Sequence, residues 1–354
     1  MTGAALTGEQ LAALAAWLTD AGLPVAGPLH AELITGGRSN LTYRLYDGVS
    51  RWVLRTPPRA GRTPSAHDVA REYRVTAALL ATDVPVAPVV GLCEDPSPIG
   101  VPFAVTEFID GQTIRTQADL DTLDDSTMDM AVTRLVETLA ALHRIDYVAV
   151  GLQGFGRPHG YAQRQIRRWS QQWEIVAQPA LLTFGLQIAA RLAAAVPAQP
   201  STGIVHGDYR IDNTLLRLDP DHPPRIAAVL DWELSTIGDP VADVAMMCAY
   251  RHPIFDLIIG APSAWTSSRL PTPTDLATAY ESVGGVPLAS WEFHLALAYF
   301  KIGVIAAGID HRHRAGAASG PGFDSAGEAV AGYLELSLAQ LKSRSRKQAA
   351  QAQP

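Results

Sequence analysis

A change of periodicity at Asp110 and Gly111 divides this chain more sharply than any other feature. Upstream, LTYRLYD and RWVLRTP flank Gly48 and alternate as the two arms of a hairpin do. Pro64 and Ser65 then open a helical pattern, SAHDVAREYRVTAALLAT, and VAPVVGLCED and PFAVTEFID read as two further strands. Downstream the apolar residues recur at helical spacing, beginning with Val132, Leu135, Val136, Leu139 and Leu142. One exception interrupts the helices: TLLRL and RIAAVLDW, joined by the turn-rich DPDHPP, form a hairpin with a polar cluster at its entrance. The order predicts an α+β fold of two lobes, a small β-rich one over 1–109 and a larger, mainly helical one over 110–341. Residues 342–354, basic and then rich in Gln and Ala, lack apolar periodicity and read as a disordered tail.

A helix over Thr7 to Ala21 precedes the first strand. Thr7 and Gln10 have capping-box spacing, Leu11, Leu14 and Leu18 share a face, and Gly22-Leu23-Pro24 ends it, so it should cap the first lobe. A hydrophobic content of 47% over 354 residues is enough to bury a large core in both lobes. The net charge of -7 offers no global attraction to nucleic acid or an anionic membrane. Cys93 and Cys248 stand far apart with no CxxC, which excludes a zinc ribbon or disulfide framework and fits a reducing compartment. The N-terminus has no basic start before its apolar stretch, unlike a signal peptide. LALAYFKIGVIAAGI is short for a membrane span and contains Lys301, so it reads as a buried helix, and the cytoplasm is the expected location.

The polar cluster is IVHGDYRIDNTLLR, Ile204 to Arg217. His206-Gly207-Asp208, then Asn213, then Asp231-Trp232-Glu233 repeat the order and spacing of H-R-D, N and D-F-G in protein kinases. Such chemistry needs one carboxylate to face an attacking hydroxyl and accept its proton. It also needs an amide oxygen and a second carboxylate to hold a metal on nucleotide phosphates. Asp208 would be the base, and Asn213 and Asp231 the metal ligands. A polar loop capping a hairpin is the bland alternative. A metallohydrolase using His206, Asp208 and Asp231 is another, although no further ligands stand out at matching positions.

HGDxxxxN followed by DWE and GDPxxD, here Gly238 to Asp243, resembles the aminoglycoside phosphotransferase family over roughly positions 30 to 315. VLRTPP, PSAHDVAREYR and HGDYRIDN are most similar to the branch fused to acyl-CoA dehydrogenases, whose domains are similar to kinases of hydroxyacyl-CoA thioesters. The resemblance implies a two-lobed protein-kinase-like fold, ATP and Mg2+ as cofactors, and phosphoryl transfer to a hydroxyl of a small molecule. An aminoglycoside acceptor, and a pseudokinase that binds nucleotide without turnover, stay open as alternatives.

Nucleotide contacts are written more faintly. ITGGRSNLTYRL resembles a phosphate-covering turn between two strands, with Gly36 and Gly37 allowing close backbone approach. Of 28 basic residues only Lys301, Lys342 and Lys347 are lysines, so the lysine that kinases place on the next strand is missing. Arg55 in WVLR stands at the matching position and Glu72 follows on the next helix, a pair able to bond bidentately. The backbone of Glu107 to Ile109 would be the hinge that pairs with adenine. Arg210 is assigned either to the transferring phosphate or to a surface ion pair. Asp239 before Pro240 reads as an N-cap, Asp243 as a brace for the catalytic loop, and His143 as a residue that packs or hydrogen-bonds within the second lobe.

YAQRQIRRWSQQW sets Tyr161, Gln165, Trp169 and Trp173 on one helical face beside Arg164, Arg167 and Arg168, with no acid in the stretch. Lys301, Arg312 and Arg314 add cations near the end. A packed aromatic face with solvated arginines is the plain alternative; a polycationic antibiotic wants an acidic pocket, so these segments favour an anionic acceptor such as a hydroxyacyl-CoA.

Overall fold

Long-range contacts sort the chain into two units: Met1–Gly111 with Ala227–Ser235, and Gln112–Ile226 with Thr236–Pro354. The computed structural model describes residues 5–34, 40–58, 68–219, 221–317 and 320–351. The first unit begins with α1 (Gly8–Asp20), β1 (His30–Leu33), β2 (Leu41–Tyr46), β3 (Arg51–Thr56), α2 (Val69–Leu79), β4 (Val89–Cys93) and β5 (Phe103–Glu107). The strands form one antiparallel sheet in the order β1-β2-β3-β5-β4.

The β2–β3 hairpin closes where the sequence places it, around Gly48 at φ 92°, a left-handed position that suits glycine. Asp47 Oδ1 accepts the amides of Val49 at 2.9 Å and Ser50 at 2.7 Å, which fixes the turn and hence the register. With register fixed, alternation sends Tyr43, Leu45, Trp52 and Leu54 into the core with Leu14 and Leu18 of α1. The capping box is present, Thr7 exchanging hydrogen bonds with Gln10. On β3, the same alternation leaves Arg55 on the face opposite Trp52 and Leu54.

α2 has Asp68 as its N-cap, the side chain accepting from Arg71 N at 2.9 Å, and is first helical at Val69. The earlier start expected at Ser65 lies outside the described residues. The first unit is also not contiguous, as the expected span over 1–109 has it: Ala227–Ser235 returns to it. Val229 N donates to Pro85 O at 2.8 Å, and Arg71 Nη2 donates to Ser235 O at 2.9 Å. Asp231 therefore belongs to the sheet unit, although the sequence places it 18 positions after Asn213.

The second unit contains α3 (Gln117–Leu120), α4 (Asp125–Arg144), α5 (Tyr161–Val176), α6 (Pro179–Ala194), β6 (Gly203–Val205) and β7 (Thr214–Arg217). β8 (Arg225–Val229), within which the chain passes back to the first unit, is followed by β9 (Thr236–Gly238) and α7 (Pro240–Ala249). α8 (Phe255–Ile259), α9 (Pro273–Ser282), α10 (Trp291–Arg314) and α11 (Ala326–Gln351) complete it. β6 pairs antiparallel with β9. Asp124 caps α4, and the apolar stripe read from sequence, Val132, Leu135, Val136, Leu139 and Leu142, is buried.

α10 is long and apolar enough to cross a membrane, but 83% of its apolar window is buried inside the protein, so it is a core helix. The expected disordered tail needs correction: α11 continues through Lys342 to Gln351. Leu341 is buried, and Arg344 lies 5.4 Å from the Phe293 ring centre and donates to Ala195 O at 2.5 Å. These contacts carry a stretch of strong helix formers beyond the point where its apolar periodicity ends.

Candidate active site

β6 delivers the chain into His206-Gly207-Asp208, and Gly207, at φ 90°, makes a turn that a side chain would strain. Asp243, in the first turn of α7, holds this turn from behind. Its carboxylate accepts His206 N at 2.5 Å and Gly207 N at 2.7 Å and lies 3.2 Å from His143 Nε2. His143 Nδ1 is in turn 2.7 Å from the Tyr280 hydroxyl. Burial pushes the Asp243 carboxyl up, but His143, His206 and the Gly207 amide outweigh it and hold it below the ordinary value. The bracing expected of Asp243 is thus a set of short hydrogen bonds.

Asp208 is fixed by Asn213, whose Nδ2 donates to Asp208 O at 2.7 Å and to Oδ2 at 3.0 Å. Both amide protons are spent on Asp208, and the Asn213 carboxamide oxygen keeps its lone pairs. Asp208 Oδ1 is buried with no partner in hydrogen-bond geometry; Arg210 Nη1 stands 3.3 Å away. Burial pushes the Asp208 carboxyl up, but Arg210, the Tyr250 hydroxyl, His206 and Lys301 hold it below the usual carboxylate range. The group is a half-buried carboxylate kept ionised by its neighbours.

Arg210 is not a surface ion pair. Its guanidinium grips Asp212 through Nε at 2.9 Å and Nη2 at 3.0 Å and packs on the rings of Tyr250 at 4.6 Å and Phe255 at 5.1 Å. It is 8% exposed, so it acts on Asp208 through a little-screened field.

The first unit holds a second constellation. Arg55 Nε lies 2.7 Å from Glu72 Oε2, and its Nη2 donates to Glu72 Oε1 at 3.1 Å and to Asp231 Oδ1 at 2.9 Å. Asn40 Nδ2 donates to Glu72 Oε1 at 2.5 Å. Burial works against the Arg55 charge, yet Glu72 and Asp231 raise its pKa above the ordinary value. Burial pushes the Glu72 carboxyl up against the pull of Arg55 and Asn40. Asp231 sits at φ 62° and ψ 56°, left-handed backbone that a non-glycine residue enters at a cost. Arg55, Glu72 and Asp231 are therefore brought together as the sequence pairing of Arg55 with Glu72 anticipates.

Gly36 and Gly37 lie outside the described residues. Glu107 ends β5 opposite Trp52 and its N–H donates to Pro88 O, while Phe108 N–H donates to Arg51 O; Ile109 follows directly. Asp239 is an N-cap accepting from Val241 N at 3.1 Å. On α5, Tyr161, Gln165 and Trp169 line a pocket with Lys301 of α10. Trp173 departs from that face: it is fully buried against Gly185 of α6, where an added Cβ would lie 2.2 Å from the indole. Arg164 is bonded to the carbonyls of Arg157 and His159, and Arg314 to Asp310 at 2.8 Å, whereas Arg167 and Arg168 are exposed. Sequence reasoning missed Asn40, Tyr250 and Tyr280. No local pattern marks them, because each meets its partner across more than thirty positions.

A family model described as the phosphotransferase enzyme family, APH, matches residues 30–267. The chain belongs to the phosphotransferase enzyme family. As a member it is a phosphotransferase with an alcohol group as acceptor, a small-molecule kinase. It is 34% identical over 316 residues to acyl-CoA dehydrogenase family member 10 of Mus musculus, covering 88% of this chain and 29% of that protein. It is 35% identical over 288 residues to acyl-CoA dehydrogenase family member 11 of Homo sapiens, covering 79% and 36%. The chain thus spans about a third of the curated relatives it matches. Among solved structures it is similar to a putative aminoglycoside phosphotransferase from Ralstonia eutropha, at 34% identity and TM-score 0.79, covering 94% of this chain and 98% of that one. A thermostable mutant aminoglycoside phosphotransferase in ternary complex with AMP-PNP and hygromycin B shares the kinase-like fold at 18% identity and TM-score 0.59, covering 94% and 98%.

Proposed function

We propose that this phosphotransferase moves the terminal phosphoryl group of ATP to a hydroxyl of an anionic small molecule, a hydroxyacyl-CoA thioester, with Asp208 as the base. The observation that carries the reading is the Asp208 carboxylate: half-buried, ionised, pinned through Oδ2 by Asn213, with Oδ1 facing Arg210 at 3.3 Å and outside hydrogen-bond geometry. Asp208 would orient the acceptor hydroxyl and take its proton as the oxygen attacks phosphorus, while the phosphorus–oxygen bond to the ADP leaving group breaks.

The oxygen donors of Asn213 and Asp231 suit magnesium, which takes oxygen ligands and few protein groups. They would hold it, and when bound it supplies positive charge to the phosphate oxygens. Arg55, oriented by Glu72, would grip phosphate oxygens in place of the usual lysine, with Gly36 and Gly37 covering them and the backbone of Glu107 and Ile109 meeting adenine.

For the acceptor, the support is charge and kinship. Exposed Arg167 and Arg168 on α5 offer cations to phosphates, and the curated relatives join a segment like this one to a protein named for acyl-CoA chemistry. An aminoglycoside is the second reading, because the Ralstonia eutropha protein carries that name. ATP-dependent kinetics on hydroxyacyl-CoA thioesters and on kanamycin-type compounds decide between them. Thioester turnover with Arg167→Glu raising only the acceptor KM supports the proposal; kanamycin turnover alone overturns it.

A further inference from the structure

Lys301 is the one lysine before position 342 in a chain of 28 basic residues, and it lies within the core helix α10. Its Nζ donates to Gly207 O, the residue before Asp208, at 3.3 Å, and stands 5.7 Å from the Trp169 ring centre. Burial pushes its pKa down against the pull of Asp208 and Asp243. An ammonium has three donors, and Gly207 takes one.

Beside it lies a small, largely apolar cavity bordered by Tyr161, Gln165, Trp169, Met246, His294 and Lys301 itself. Its volume of about 20 Å³ is room for one oxygen-sized group, too little for an acyl chain or a guanidinium. His294 Nδ1 is buried with no hydrogen-bond partner, a second polar atom left over at this cavity. A half-buried cation of α10 bonded to the loop that carries Asp208, an unspent nitrogen and space for a single oxygen describe an oxygen-binding subsite.

We propose that Lys301 binds the carbonyl oxygen of the acceptor thioester and thereby positions the acceptor hydroxyl at Asp208. The inference rests on the phosphotransferase reading and names the residue that selects its substrate. The competing role for Lys301 is purely structural, pinning Gly207.

The experiment removes the contact from both sides. Hydroxybutyryl-, hydroxyhexanoyl- and hydroxyoctanoyl-CoA are compared with the matching CoA thioethers, which lack the carbonyl, in wild type, Lys301→Gln and Lys301→Met. Wild type should favour the thioester in KM by about ten- to a hundredfold, the loss expected for one charge-assisted hydrogen bond. Lys301→Met should lose that preference, Lys301→Gln should keep part of it, and both should bind AMP-PNP as wild type does. A preference that survives in Lys301→Met, or a fall in kcat alone, overturns the proposal and leaves Lys301 as a pin. If no CoA compound is phosphorylated or binds by calorimetry, the proposal falls too. ATP-dependent transfer to any other alcohol would then leave the phosphotransferase reading standing.

Discussion

Glu72 holds the Arg55 guanidinium at two points, Oε2 at 2.7 Å from Nε and Oε1 at 3.1 Å from Nη2. In the proposed nucleotide site this planar cation would stand where kinases place the point charge of a lysine, and it has a donor left for Asp231. Truncating one partner strands the other as a buried charge. Arg55→Ala should cost roughly 3–5 kcal/mol of stability and raise the ATP KM. Arg55→Ala combined with Glu72→Ala should recover part of the stability and none of the ATP affinity. Denaturant titration and steady-state kinetics read the two effects separately; a double variant with normal ATP kinetics would remove Arg55 from the nucleotide site.

Asp208→Asn keeps the shape of the side chain and removes the proposed base. Turnover should fall about 10²- to 10⁴-fold, while AMP-PNP binding by calorimetry stays unchanged. Asp231→Ala should instead weaken magnesium-dependent nucleotide binding. Because the Asp208 pKa is depressed, the base is ionised above an unusually low pH, and turnover should show no Asp208 limb between about pH 5 and 7. A wild-type rate in Asp208→Asn would dismiss the assignment.

Asp243 satisfies two backbone amides and His143 with one carboxylate. In Asp243→Ala those amides lose their acceptor inside the protein, which should cost roughly 3–5 kcal/mol. Thermal melts should show the loss, and hydrogen exchange should show faster exchange at His206 and Gly207. Equal exchange in variant and wild type would mean the turn holds without Asp243.

Asp239 and His294 make opposing pH contributions. Burial pushes the Asp239 carboxyl up to about 6, so the folded state holds that proton more tightly and stability falls as pH rises from about 4 to 6. Burial also pushes the His294 imidazole down to about 4, so the unfolded state binds more protons and stability rises from about pH 4 to 6.5. The side chains are 3.5 Å apart and both buried. Asp239→Asn preserves a capping oxygen and deletes only the first contribution. Unfolding free energy in this variant should therefore climb between pH 4.5 and 6.5 by more than in wild type; parallel curves would refute the pairing.

Much of the site was legible because its grammar is local. The Thr7 and Gln10 box, the Asp239 cap with Pro240 behind it and the Gly48 hairpin each depend on residues within a few positions. The fixed interval from Asp208 to Asn213 likewise lets one side chain turn back onto the other. Arg55 and Glu72 were readable at one remove, since strand alternation and helix periodicity each aim one member of the pair.

The sequence by itself determined which stretches become strand or helix, which faces turn inward, and which residue types stand at the chemistry-bearing positions. Only the tertiary structure decided that Ala227–Ser235 returns to the sheet unit and that Asp231 takes a left-handed backbone there. It also decided that Tyr250 and Lys301 act on Asp208, and that Lys342 onward continues a helix. Periodicity and capping energies are set within one or two turns of chain. The pairing of Lys301 with Gly207, 94 positions apart, depends on the path of everything between them and on burial, which makes a lone charge too costly to leave unmatched.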